Sequence, residues 1–286
     1  MSGSRRGFLR DLARVAAAAQ SAVEPLQEAT AARPPARDGL SDAELERYSR
    51  QLVLPEFSEA AQLALKRASV LVVGAGALGS PVATYLAGAG VGRLGIADDD
   101  AVALSNLPRQ HLHFTPDVGV PKAHSAAAKL AFLNPEIVVE PYQVRLEAAN
   151  AAGLVAGHDL VVDCSDSFET RYAVNAACCA AGVPLVEGGV LGASGLVMAI
   201  RPGETACYRC AFPEPPPPGA APTCAEAGVL GPAAGVIGSL QALQAVALLT
   251  GVGEPLTDAF LQVDLARLDF LRVAVRRRPG CPDCGA

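Results

Sequence analysis

Tryptophan is absent from this 286-residue chain, and aromatic residues of every kind make up only 5% of it. A surface built to stack nucleobases is therefore not expected. Charged residues are sparse at 18%, and their balance is acidic, with a formal net charge of -6. Nucleic-acid binders carry basic patches, so nucleic acid is not an expected partner. No apolar run long enough to span a bilayer stands out. The longest near-apolar stretch, around Gln241 to Leu249, is interrupted by glutamine and bounded by Gly251, so no membrane is expected either. No internal repeat is visible.

The start of the chain is not expected to direct export. Ser4-Arg5-Arg6-Gly7-Phe8-Leu9-Arg10 resembles a twin-arginine signal, but Asp11 and Arg14 interrupt the segment after it. The uninterrupted apolar part is only Val15 to Ala19, short of the roughly 7–15 residues a signal needs. A cytoplasmic location is expected.

What the chain does have is apolar mass, at 51% hydrophobic residues, enough for a sizeable core. Residues 1–40 are rich in alanine and arginine and read as a loosely ordered extension. Residues 41–286 read as one domain. Ser41-Asp42-Ala43-Glu44 is a capping box announcing a helix. Strands are expected at Ser69 to Val73, Leu94 to Ala97, Ile137 to Pro141 and Leu160 to Asp163, alternating with helices such as Leu78 to Ala89. That rhythm predicts an α/β, Rossmann-like, mostly parallel sheet with helices on both faces. Further on come a proline-rich loop from Pro213 to Pro218, a helix from Gly235 to Leu249, and strands at Ala259 to Asp264 and Leu268 to Val275. These last read as an antiparallel C-terminal extension.

Gly74-Ala75-Gly76-Ala77-Leu78-Gly79 follows a strand and opens a helix, the arrangement that offers backbone N–H groups to phosphate. Asp98, ending the second strand, stands where a carboxylate can accept hydrogen bonds from ribose hydroxyls; Asp99 and Asp100 follow it. Ser105-Asn106-Leu107-Pro108-Arg109-Gln110, Lys122 and Asp166 come next. Two cations and an acid facing one nucleotide suit a triphosphate with Mg²⁺ better than a dinucleotide. Arginine can grip phosphate in a fork, lysine supplies a point charge, and Asp166 can hold the metal. Cys207-Tyr208-Arg209-Cys210 and Cys281-Pro282-Asp283-Cys284 have the spacing of a closed, structural Zn²⁺ site. Cys164, Cys178 and Cys179 read as small core residues, and the four histidines show no metal spacing.

These pieces, together with Arg47-Tyr48-Ser49-Arg50-Gln51 and Asp163-Cys164-Ser165-Asp166, run in the order found in the ThiF/MoeB/HesA family, relatives of the ubiquitin-activating enzymes. The chain resembles that family over about residues 41–286. The resemblance implies transfer of AMP from ATP to the C-terminal glycine carboxylate of a ubiquitin-like sulfur carrier, of the MoaD type first and the ThiS type next. It casts Asp98 as ribose ligand, Ser105, Asn106, Arg109 and Lys122 as the phosphate-side set, and Asp166 as Mg²⁺ ligand. Gly74, Gly76, Ala77, Gly79, Asp100 and Ser167 complete the nucleotide site. Arg50 would reach the phosphates from the partner subunit, so a homodimer is implied. Cys224 would lie where the carrier tail crosses, with a chemical role open. With no rhodanese domain after the second CxxC, sulfur is expected from a separate donor of the cysteine desulfurase or rhodanese type.

Three positions depart from the pattern: Ser167 for a frequent Asn, Pro108 for a frequent Gln and Ala77 for a frequent Gly. Two rivals remain. A NAD-dependent oxidoreductase accounts for the glycines and Asp98 but not for Arg109, Lys122 or the CxxC pairs. A catalytically inactive carrier-docking module does not need the charged set that is present.

Overall fold

Ser69–Val73 is an uninterrupted apolar, β-branched run, and all five of its residues are buried. Such a strand can only lie inside a sheet covered on both faces. A computed structural model describes residues 39–217 and 227–285 and places this strand, β1, at the centre of an eight-stranded sheet of order β3-β2-β1-β4-β5-β6-β7-β8. β2 is Arg93–Ala97, β3 Val138–Tyr142, β4 Leu160–Asp163 and β5 Leu185–Leu191. These five strands are mutually parallel. β6 (Ser194–Ile200), β7 (Ala259–Asp264) and β8 (Asp269–Ala274) continue the sheet antiparallel.

The helices, in chain order, are α1 (Asp42–Arg47), α2 (Ser49–Leu52), α3 (Glu59–Arg67), α4 (Gly79–Ala89), α5 (Lys122–Leu133), α6 (Ala151–Val155), α7 (Phe168–Ala181), α8 (Tyr208–Ala211) and α9 (Gly231–Thr250). Alternation along the strands sorts side chains into two cores. Val70, Val72, Leu94, Ile96, Leu160 and Val162 face α3, α4, α5 and α9, whereas Leu71, Val73, Val161 and Leu185 face α6, α7 and the cysteine-bearing segments. Each fully buried Leu, Ile or Val contributes roughly 1.5–3 kcal/mol. The capping box holds as expected: Ser41 Oγ accepts from the Glu44 amide at 3.2 Å, and the Glu44 carboxylate accepts from the Ser41 amide at 2.7 Å.

Element boundaries differ from expectation by a few residues, and β5 and β6 were not separately foreseen. The larger correction concerns α9. It begins at Gly231 rather than Gly235 and runs 20 residues, long and apolar enough by length and composition to cross a membrane. Here it lies against the sheet instead: Ala234, Ile237, Ala242 and Ala245 are buried, and the Gln241 amide donates to the Asp163 carbonyl at 2.7 Å. The expected extension over 1–40 falls, save for its last two residues, outside the described residues.

Close packing of α9 on α4 depends on Gly238. A Cβ there would lie 2.4 Å from Pro81 Cγ and 2.7 Å from the Leu78 carbonyl oxygen, the second of which is backbone and cannot yield cheaply. Gly238→Val should cost about 1–3 kcal/mol of stability, read as a lower thermal unfolding midpoint.

Candidate functional site

The chain leaves β1 through α4 on one face of the sheet and leaves β4 through α7 on the other. Between the carboxyl ends of these neighbouring strands the connections part, which opens a crevice. A cavity of about 270 Å³ sits there, lined by Gly74, Gly76, Ala77, Asp98, Asp100, Arg109, Asp166 and Ser167 among others.

Glycine is required twice in the turn beneath it. Gly74 has φ +93°, and a Cβ there would meet the Cys164 carbonyl of the adjacent strand at 3.0 Å. A Cβ on Gly79 would fall 1.9 Å from the Gly74 carbonyl oxygen, so this glycine closes the turn without lining the cavity. No side chain caps α4, which leaves its positive end to a ligand. His113 braces the turn from behind: its Nε2 is 2.8 Å from the Ala75 carbonyl and its Nδ1 2.9 Å from Ser125 Oγ. Burial lowers the His113 pKa, so the ring is held neutral.

Asp98 accepts from the amides of Ala75 at 2.7 Å and Asp100 at 2.9 Å. Burial raises its pKa, opposed by the charge of Lys122 and by those amide bonds. Lys122 is buried and donates to Asp100 at 2.7 Å, one step back from the cavity wall. Arg109 lines the cavity and is steadied by the Ser105 carbonyl at 2.9 Å. Asn106 does not line it; its Oδ1 accepts from the Ala103 amide at 3.0 Å and shapes the turn that delivers Arg109. Ser167 caps α7 through the Thr170 amide at 3.4 Å. Arg50 is exposed on α2 and is not among the residues lining the cavity of its own chain. Cys224 lies outside the described residues.

The sequence reading missed Gln110, Arg145 and Arg171. Arg171 lines both this cavity and a neighbouring groove of about 730 Å³, which has Leu191, Leu196, Tyr208, Phe212 and Phe260 in its wall. The signal was present in Leu185-Val186-Glu187, an acid inside an apolar strand, which demands a buried cation. Arg171 on α7 supplies it, pairing with Glu187 and donating to the carbonyls of Gly188 and Ser165, each at 2.6 Å.

The four CxxC sulfurs lie within 4.8 Å of one another, with separations of 3.8 Å for Cys207–Cys210, 3.6 Å for Cys207–Cys281 and 3.5 Å for Cys210–Cys284. A tetrahedron of Zn–S bonds of about 2.3 Å has edges near 3.8 Å, so the four thiolates fit such an ion with no position left open. Around them Asp283 accepts from Asn175 at 2.6 Å and forms an ion pair with Arg209 at 2.8 Å, tying both arms to α7. Cys164 and Cys178 are buried core residues, while Cys179 is half-buried beside Cys207.

The model of the ThiF family matches residues 48–283. The chain belongs to the ThiF family.

Among ThiF relatives, the sulfur carrier protein adenylyltransferase of Thermus thermophilus is 51% identical over 247 residues, covering 85% of this chain and 91% of that protein. The adenylyltransferase and sulfurtransferase MOCS3 of Sus scrofa is 48% identical over 252 residues; they make up 88% of this chain but only 55% of the pig protein. The microcin C7 biosynthetic enzyme MccB, solved in complex with N-formylated MccA, shares the fold with a TM-score of 0.73 at 26% identity, covering 84% of this chain and 75% of that one. The Thermus and pig relatives are named adenylyltransferases, and the cavity, the glycine turn and all but the last cysteine of the cluster lie inside the matched span of this ThiF chain.

Metal analysis of the purified protein should find about one zinc per chain. Cys281→Ser should lower the unfolding midpoint by several degrees while ATP affinity changes little, because the cluster lies on the α7–α8 side and not in the nucleotide cavity.

Proposed function

We propose that this protein adenylates the C-terminal glycine carboxylate of a ubiquitin-like sulfur carrier, using ATP and releasing pyrophosphate. One observation carries the reading: Asp98, Arg109 and Asp166 converge on a single cavity at the parting of β1 and β4, and Arg171 joins that cavity to an apolar groove. A nucleotide and an extended peptide tail can meet only at such a junction. The names of the Thermus and pig relatives agree with this chemistry.

A carboxylate is a poor electrophile until it carries a good leaving group. Its attack on the α-phosphate gives an acyl adenylate, and the protein's task is to hold the reactants in line and neutralise charge. Asp98 orients the ribose. The uncapped start of α4 and Arg109 face the phosphates. Lys122, held by Asp100, adds a charge that can turn toward them. Mg²⁺, held by Asp166, would neutralise phosphate oxygens. The four cysteines hold a structural zinc.

The groove continues onto an open sheet face, since the registers place Gly189, Leu196, Gln262 and Leu271 in one row, with Leu271 60% exposed. That face suits the body of the carrier, and the groove its tail. MoaD-type carriers are favoured over ThiS-type ones, and sulfur comes afterwards from a separate cysteine desulfurase or rhodanese-type donor. A homodimer fits α9, where the half-exposed to exposed Leu230, Val236 and Leu243 present an apolar surface that a second copy would cover. It also gives the exposed Arg50 a site to enter. Dependence on ATP and reduced thiols puts the reaction in the cytoplasm.

The test is ATP–pyrophosphate exchange with each purified carrier. Arg109→Ala and Lys122→Ala should each lose about 10²-fold or more while remaining folded; near-normal exchange in either would sink the assignment. NAD binding in preference to Mg–ATP would favour an oxidoreductase. Co-expression of Arg50→Ala and Asp166→Ala chains should restore roughly a quarter of wild-type exchange, because about half the dimers are mixed and each of those has one intact site. Verified mixed dimers without activity would mean that Arg50 does not act across the interface.

A further inference from the structure

Beneath the cavity lies a charge imbalance that the adenylation chemistry does not use. Asp163 ends β4 and Glu187 lies directly beside it in parallel register on β5, so their side chains share one face of the sheet. Both residues are wholly buried, and Arg171 pairs with Glu187 while its charge also acts on Asp163. Arg171 spends its fork on Glu187, on the Gly188 carbonyl and on the Ser165 carbonyl, while Asp163 accepts from the Ser165 amide at 2.8 Å. One oxygen of each carboxyl, Asp163 Oδ2 and Glu187 Oε2, is buried with no other donor in reach, and the two carboxyls interact side by side.

Two carboxylates and one guanidinium would leave a net negative charge with no solvent to receive it, which is costly enough that a proton is retained instead. The other titratable groups facing Glu187 offer no relief, being Tyr208 on α8, Cys164 at the end of β4 and Cys178 on α7. Met198 is the register partner on β6 and carries no charge.

We propose that Glu187 keeps its proton and shares it in a hydrogen bond to Asp163, and that the neutral trio these two form with Arg171 is the device that positions the Ser165–Asp166 corner. Both backbone groups of Ser165 are gripped, its amide by Asp163 and its carbonyl by Arg171. The next residue is Asp166, whose side chain faces both the nucleotide cavity and the groove. Arg171 and Glu187 are thus positioning residues for the acid that the adenylation reading assigns to Mg²⁺, and this half of the proposal rests on that reading.

Burial, reinforced by the neighbouring Asp163, raises the Glu187 pKa above the ordinary carboxylate range. The folded state therefore holds this proton more tightly than the unfolded chain does, and stability falls as pH rises above the unfolded value. Glu187→Gln keeps the shape, accepts from Arg171 and donates to Asp163 with nothing to titrate. Its thermal midpoint should match wild type near pH 5 and exceed it at higher pH, by roughly 3 °C for each pH unit. Asp163→Asn behaving so in its place would also support a shared proton. Wild type at least as stable as both amides from pH 5 to 9 would overturn it.

The positioning role is read separately, by titrating Mg²⁺ against ATP binding. Arg171→Lys keeps the charge but cannot span three acceptors, so half-saturation by Mg²⁺ should rise about tenfold, well beyond any weakening of ATP binding measured without Mg²⁺. Arg171→Gln, whose amide reaches only two of the acceptors, serves if the lysine variant does not fold. A folded variant with wild-type Mg²⁺ dependence would overturn the positioning role. Wild-type binding of ATP that ignores Mg²⁺ would defeat the nucleotide reading and the positioning role with it, while the pH comparison would still judge the shared proton.

Discussion

The constraint on which this protein depends is the parting of the chain at the ends of β1 and β4. Two neighbouring parallel strands send their following helices to opposite faces of the sheet, so the two crossovers diverge and leave a space between them. Backbone packing there is close: the Cys164 amide donates to the Val73 carbonyl at 2.8 Å, and Gly74 turns away over the Cys164 carbonyl. The charged groups of the candidate site are arranged around this crevice. Asp98 enters from β2, Arg109 from the loop beyond it, and Asp166 from the corner after β4.

Polar groups around the crevice are held mostly by backbone. The carboxylate of Asp98 takes two amides, Arg109 rests on the Ser105 carbonyl, and His113 supports the Ala75 carbonyl. Such contacts leave the functional atoms pointing at the cavity with little freedom, which is the condition for stabilising charge on a bound nucleotide. Lys122 differs, because its ammonium is spent on Asp100, whose side chain is largely exposed. That pair can open to a polyanion at little cost, since an ion pair with one exposed member is weakly held.

On the far side of α7 the cysteine cluster does mechanical work of another kind. Asn175 on α7 grips both CxxC arms, donating to Asp283 and accepting from the Tyr208 amide at 2.9 Å, and Arg209 stacks on Tyr172 at 4.5 Å. The same helix carries Arg171 toward the crevice. One element therefore links the cluster, the wall of the groove and the Asp166 corner.

Local pattern was enough to read the parallel half of the sheet, the glycine turn and the two CxxC pairs, because each depends on residues near in sequence. Burial on both faces demands apolar runs such as Ser69–Val73, and a tight turn demands glycine at Gly74 and Gly79. Long-range facts were hidden. Nothing in the spacing of Asp163, Arg171 and Glu187 reveals that strand register brings them together, nor that Asn106 shapes a turn while Arg145 faces the cavity. The first turn of α9 was obscured by Gly231-Pro232, which looks like a break in sequence; Gly231 is instead where the helix approaches the Pro108 carbonyl, as Gly238 is where it approaches Pro81. Composition and motif alone determined the class of sheet, the presence of a glycine turn at the start of a helix and a four-thiolate set. Only tertiary packing decided which charges share a cavity, because that depends on which strands lie side by side and on which face each side chain emerges.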